Sequence, residues 1–247
     1  MKNKLLSISK IFVPIFFWLF IWDILSLLVN NAYFLPSVSD ALRALCALVV
    51  TGTFYKVVSL TVLRVLLGLF LGTVFGIIFA ALSHRFKVLN MLISPLISII
   101  KATPVATIII ILWVMLSGDF LSVFIAFLMV MPIVWQNLID GFDSIDETLI
   151  EVATLYEFSF TKKLKTLIFP TLKQFLIPAI ITSVGLAWKS EIAAEIIAYT
   201  KNSIGQQIND AKYIYDSATV FAWTLVIVLM SIILEKATRA MLTRCKK

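Results

Sequence analysis

The sequence is poor in charge and nearly empty of catalytic polar chemistry. Of its 247 residues only 14% are charged, one is histidine (His84) and two are cysteine (Cys46 and Cys245). A single histidine leaves no Ser/His/Asp set, and no pair of carboxylates is spaced for acid–base work, which argues against an enzyme. There is no CxxC or Cys/His cluster, so no metal site is expected. There is no Gly-x4-Gly-Lys-Ser/Thr phosphate loop either. Lys189-Ser190 ends like one, but Trp188 precedes it inside an apolar run. The chain is therefore expected to hold no cofactor and to bind no ATP by that route.

What the sequence does have is hydrophobic length. Hydrophobic residues make up 61% of the chain and the mean hydropathy is +1.02. Soluble domains carry about 45–50% apolar and about 25% charged residues. A surplus of this size needs a solvent other than water. Six runs approach or pass the roughly 20 residues that cross a bilayer core: 11–29, 57–82, 88–116, 120–139, 172–198 and 219–234. Run 11–29 follows a basic start and has no convincing small-x-small cleavage site. It reads as an uncleaved first span on its length. The third run is interrupted by Pro95 and by Lys101-Ala102-Thr103-Pro104.

The net charge of +7 follows topology. The basic residues flank apolar runs and do not interleave with aromatics, so nucleic acid is not an expected partner. With six spans, fourteen Lys and Arg fall in segments on one side and four (Arg43, Lys56, Lys201, Lys212) on the other. The basic side is expected to be cytoplasmic, with both termini inside an inner membrane. Cys46 and Cys245 then lie on opposite sides and should not pair. Gly68, Gly72 and Gly76, continued by Ala80, recur every four residues on one helix face. That pattern lets a neighbouring helix approach closely.

Segment 141–170 is long for a connection, and such loops tend to carry structure or function. Ser144-x-x-Glu147 and Thr148-x-x-Glu151 both fit the capping box that starts a helix. Val152, Leu155 and Tyr156 then form an apolar triplet at helical spacing. A short amphipathic helix on the cytoplasmic face must cover that side. It can do so with lipid headgroups or the underside of the bundle, or with a groove on a soluble partner; the residues alone do not choose.

The same segment resembles the signature E-A-A-x3-G-x9-I-x-L-P of binding-protein-dependent ABC importer permeases. Here it reads Glu151-Val152-Ala153, then Glu157, then Leu167-Ile168-Phe169-Pro170. Glu151, Ala153 and Pro170 match, and the spacing from Glu151 to Pro170 agrees. Val152 replaces Ala, Glu157 replaces Gly, and Leu167 and Phe169 replace Ile and Leu. The missing Gly implies a less sharply bent helix-turn-helix. Lys101 to Ala106, the Ser117-Gly118 turn, Pro132 to Gly141, Gly185 to Trp188 with Ala194-Glu195, and Ser203-Ile204-Gly205 look like the nitrate/sulfonate/taurine branch. The resemblance covers about residues 55–242.

The resemblance implies an all-helical permease of the type I importer kind, with six transmembrane helices. Residues 1–54 would be an N-terminal span and external loop, 55–242 a permease core, and 243–247 a tail. It also implies a separate ABC ATPase clamped on Glu151, Val152, Ala153, Leu155, Tyr156, Glu157 and Pro170. A second permease copy, identical or not, and an external solute-binding protein complete the assembly.

Ionisable residues inside spans are costly and point to function, usually facing a bundle interior or a water-filled path. Lys101 is deep in the third run, beside Pro104, which lacks an N–H and disrupts a helix there. Lys189, Glu191 and Glu195 lie in the fifth run. Lys101, Pro104, Trp188, Lys189, Glu191 and Glu195 are thus the candidates for a translocation pathway, and the two lysines favour an anion. Each charge has a plain structural alternative in a buried or interfacial ion pair. Arg64 reads as a structural or snorkelling charge, and Asp23 has no sequence-local partner. Two rival functions stand beside the importer. One is an ion-gradient-driven transporter using Lys101, Glu191 and Glu195, against which the lack of visible internal repeats counts. The other is a membrane scaffold whose cytoplasmic helix recruits a partner.

Overall fold

Alternating apolar runs and polar breaks give a chain that is helical along almost its whole length in the computed structural model. The structure describes residues 2–244, and the side chains of 13–243. In order the helices are α1 (Lys2–Val29), α2 (Val38–Val49), α3 (Gly52–Arg85), α4 (Lys87–Ala102), α5 (Val105–Trp113), α6 (Gly118–Asp143), α7 (Glu147–Leu155), α8 (Phe160–Lys163), α9 (Phe169–Ala198), α10 (Ile204–Tyr213) and α11 (Ser217–Arg244). A π-helical turn, Leu164–Ile168, joins α8 to α9 without a break in direction. Cys245 lies outside the described residues.

Among the described residues four helical stretches are long and apolar enough to cross a membrane: Gly52–Arg85, Gly118–Asp143, Phe160–Ala198 and Ser217–Thr243. α4 and α5 make a fifth if counted together, although they bend by 102° at Thr103-Pro104. Pro104 supplies no amide to continue the ladder. Pro95 was expected to interrupt the same run but sits inside α4. α1 is a further apolar helix, 28 residues from Lys2 to Val29, long enough to cross a bilayer core.

The core is a slab of α3, α6 and α9. A Cβ on Gly68 would sit 2.4 Å from the Ala126 Cβ; on Gly72, 2.6 Å from the Val130 Cβ; on Gly76, 2.8 Å from the Val134 Cβ. No side chain fits at those distances, so α3 and α6 meet backbone to backbone along three turns. Trp135 Nε1 donates to Ser83 Oγ at 3.0 Å and ties the far ends of the same two helices. α5 packs on α6 and α9 through Ile109, Leu121, Ile125, Ala194 and Ala198. α11 lies over the groove between α3 and α9. Its Trp223 stacks on Phe54 at 5.5 Å, and its Ile227 carbonyl accepts from Trp188 Nε1 at 3.0 Å.

Two helices were not expected. α2 fills what read as an external loop. Ser37 caps it by accepting from the Asp40 amide, and Asp23 of α1 accepts from the Val38 amide at 2.9 Å, which gives that carboxylate its partner. α10 occupies the connection after α9 and is capped by Ser203. His84 belongs to the last turn of α3, where it stacks on Phe142 at 4.2 Å.

Candidate functional site

Functional candidates gather at the two ends of the slab. At the α10 end, one turn after Thr61, Arg64 reaches out from α3. Its guanidinium donates to Glu195 Oε1 at 2.9 Å and to Asp119 Oδ1 at 2.7 Å, and to the Lys201 carbonyl at 3.1 Å. Glu195 is wholly buried. It also accepts from Thr61 Oγ1 at 2.8 Å and from the Gly205 amide at 3.1 Å. Thr61 Oγ1 in turn accepts from the Ile204 amide at 3.2 Å. The start of α10 is thus plugged directly onto a carboxylate of α9, where free helix amides favour an anion. Gly205 is required there, since a Cβ would come within 2.5 Å of Glu195. Each charge in this knot is matched and hydrogen-bonded, the condition under which a buried pair is tolerated.

Among the six pathway candidates the structure makes a clean division. Lys101, Pro104 and Lys189 keep exposed side chains. Trp188, Glu191 and Glu195 lie inside the protomer, each 0% exposed. Glu195 is consumed by Arg64 and Thr61, so it faces no open path. Glu191, one turn earlier on α9, is buried with neither carboxyl oxygen hydrogen-bonded. Trp188 is fixed by its bond to α11. Beyond the end of α9, Tyr199 donates to Asp210, and that bond holds the Tyr199 hydroxyl above the ordinary tyrosine range.

At the opposite end α7, α8 and the π turn link α6 to α9. The cap of α7 is not Ser144 or Thr148, as the sequence suggested, but Asp146. Its carboxylate accepts from the Thr148 amide at 2.8 Å and from Thr148 Oγ1 at 2.7 Å. Those two bonds hold Asp146 below the ordinary aspartate range. α7 closes in a Schellman turn: Phe158 N–H donates to the Ala153 carbonyl and Glu157 N–H to the Thr154 carbonyl. The residue at C′ is Glu157, with φ 52°. The turn that glycine usually serves is therefore present, and the expectation of a blunter bend does not hold. Lys163 Nζ donates to Thr154 Oγ1 at 2.7 Å and clamps α8 against α7.

On this hairpin Ala153 faces inward, while Leu155 is 81% and Tyr156 72% exposed; Val152 is half exposed and Glu151, Glu157 and Pro170 are exposed. The apolar triplet has nothing against it within the protomer. Pro170 stands in the first turn of α9, where a missing amide costs nothing.

The residues that sequence reading passed over are Thr61 and Asp119, the partners of the buried charges. Their signal was faint: a charge of each sign in two separate apolar runs, Arg64 and Glu195, which must meet to be tolerated.

A slab of spanning helices, a broken span beside it and a short exposed hairpin at one end are the frame of a multi-pass membrane protein. The chain belongs to the family of binding-protein-dependent transport system inner membrane components, whose profile matches residues 72–246. It is a permease subunit of the ATP-binding-cassette importer class. It is 25% identical over 209 residues to the putative aliphatic sulfonates transport permease protein SsuC of Bacillus subtilis (strain 168), covering 83% of this chain and 75% of that one. It is 22% identical over 250 residues to the taurine transport system permease protein TauC of Escherichia coli (strain K12), covering 98% and 89%. Its fold is similar to that in a crystal structure of an amino acid ABC transporter with histidines. The TM-score is 0.61 at 14% identity, over 77% of this chain and 91% of that one. The family places the chain among importer subunits rather than ion-gradient-driven transporters.

Proposed function

We propose that this permease carries a small organic anion of the sulfonate class inward, with the hairpin 147–170 as its coupling element. The observation that carries the coupling role is the bare apolar surface of Leu155 and Tyr156 on a helix whose two ends are both firmly capped. A rigid helix with an unpartnered apolar edge suits a groove on a soluble partner, here a separate ABC ATPase that would perform all ATP hydrolysis. Two permease copies would enclose one pathway, and an external solute-binding protein would deliver substrate to the α10 end. The α7 end would be cytoplasmic, with both termini inside. Lys101 and Lys189, the pathway candidates whose cationic side chains are exposed on the protomer, would face the pathway and meet the anion. The names of the two relatives, one for aliphatic sulfonates and one for taurine, share a sulfonate group and support that substrate class.

Co-purification from native membranes tests the coupling role. The wild-type chain should retain an ABC ATPase, and Leu155→Asp, Glu151→Lys or Ala153→Asp should lose it. An ATPase that stays bound to all three variants would remove the hairpin from the interface. Uptake of alkyl sulfonates into vesicles holding the whole assembly tests the substrate. Lys101→Ala and Lys189→Ala should each lower it, and unchanged uptake in both would overturn the pathway assignment.

A further inference from the structure

α3 and α9 converge at the α10 end, where Arg64 and Glu195 join them, and part toward the α7 end. α11 packs along α9 from Ile227, at Trp188, to Glu235, at Gly185. Where α3 and α9 part, the groove between them opens into a cavity of about 760 Å³. Its walls come from α3, α6, α7, α8, the π turn and α9, and among the described residues none of the lining belongs to α4, α5 or α11. The floor is apolar, with Ile77, Leu138, Ile168 and Leu176 among its residues. The mouth is polar and divided by sign. Arg85 and Lys173 lie on the α3 and α9 side, and Asp143 and Glu147 lie where α6 passes into α7. The cavity lies at the α7 ends of α3, α6 and α9, beside the hairpin.

We propose that this cavity is a binding site for a phospholipid with a primary-amine headgroup, phosphatidylethanolamine. The volume and apolar floor suit an acyl chain entering from the leaflet on the α7 side. The divided mouth suits a headgroup that carries both signs. Arg85 would meet the phosphate with charge-assisted hydrogen bonds, and Asp143 and Glu147 would accept from the ammonium. A purely anionic headgroup would set its negative charge against Asp143 and Glu147, and a trimethylated amine would have no N–H to donate. Because Glu147 opens α7 and Phe160 opens α8, an occupied cavity also props the hairpin from beneath. The site thus links bilayer composition to the surface at Leu155 and Tyr156. This reading depends on the membrane setting of the fold, not on the transported solute.

The test is lipid retention by native mass spectrometry. The assembled transporter would be exchanged into vesicles with equal parts of phosphatidylethanolamine, phosphatidylglycerol and phosphatidylcholine. Phosphatidylethanolamine should be held roughly tenfold over the other two, the equivalent of one charge-assisted hydrogen bond. Ala81→Trp, which fills the cavity, should abolish retention. Glu147→Gln together with Asp143→Asn should shift the preference to phosphatidylglycerol; this pair lies at the mouth and keeps the side-chain shapes, so it serves even where the tryptophan disturbs folding. Equal retention of all three lipids, retention unchanged in Ala81→Trp, or a peptide segment found in the cavity would each overturn the proposal. Loss of ATPase binding in the Leu155→Asp variant leaves lipid retention as it was, so the two ideas fail separately.

Discussion

At the α10 end of the slab, an amide, a hydroxyl and a guanidinium converge on the one carboxylate of Glu195; at the α7 end the helices separate around a cavity and hold apolar side chains out with nothing against them. The same three helices, α3, α6 and α9, thus end in opposite ways. Where water is scarce, a satisfied polar network is strong because each bond acts in a low dielectric. Where apolar contacts are few, local opening is cheap. One end is therefore the fixed end and the other is built to be completed by other molecules.

The comparison breaks most readily at Arg64. Arg64→Ala leaves Glu195 buried without its cation and should cost about 3–5 kcal/mol, read as a lowered denaturation midpoint in detergent. Arg64→Met with Glu195→Met removes both charges and should recover much of that loss. A double variant no better than the singles would mean that the knot holds shape rather than charge.

Gly72→Leu should follow, at roughly 1–3 kcal/mol or more, because overpacking must push apart two helices that touch by backbone. Helix separation would appear as faster proteolysis between α3 and α6. At the compliant end the effects are smaller and one is favourable. Glu157→Gly relieves a left-handed backbone and should stabilise the hairpin by about 1 kcal/mol after the added unfolded-state freedom is counted. Slower amide exchange over α7 and α8 would show it.

The smallest effect is one of pH. The Thr148 bonds lower the Asp146 pKa in the fold relative to the unfolded chain, so its capping stabilises α7 above the ordinary aspartate range and is lost as pH falls through the lowered value. Exchange at the first turn of α7, compared with Asp146→Asn at each pH, should converge in acid and diverge near neutrality. A constant ratio would remove Asp146 as the cap.

How much of this was legible in the sequence follows from the range of the interactions. The spans were legible because apolar length is a local property, and so was the break at Pro104, which needs only a missing amide. The glycine face announced a close approach but could not name Ala126, Val130 and Val134 as what it meets. The capping boxes at Ser144 and Thr148 misled because three carboxyl or hydroxyl groups compete within a few residues, and geometry alone selects Asp146. Glu157 misled differently: its type argued against a left-handed turn, yet the Schellman bonds to Ala153 and Thr154 impose one. Arg64 was read as a structural or snorkelling charge, but its partners, and with them Thr61 and Asp119, stayed hidden because they lie far along the chain. α2 was missed because a polar-faced helix of 12 residues does not stand out between two long apolar runs.

The helix from Phe160 to Ala198 runs 39 residues without interruption, about 60 Å at 1.5 Å per residue. Its first turns carry the hairpin and its last turns carry Glu195. A movement imposed on the hairpin at one tip would therefore reach the opposite tip along one continuous helix, whose irregularities include the π turn at Leu164–Ile168 and Pro178. Deleting one residue from the π turn should restore a plain α-helix and rotate the hairpin by about 100° against the shaft, which would turn the surface at Leu155 and Tyr156 away from a partner docked there.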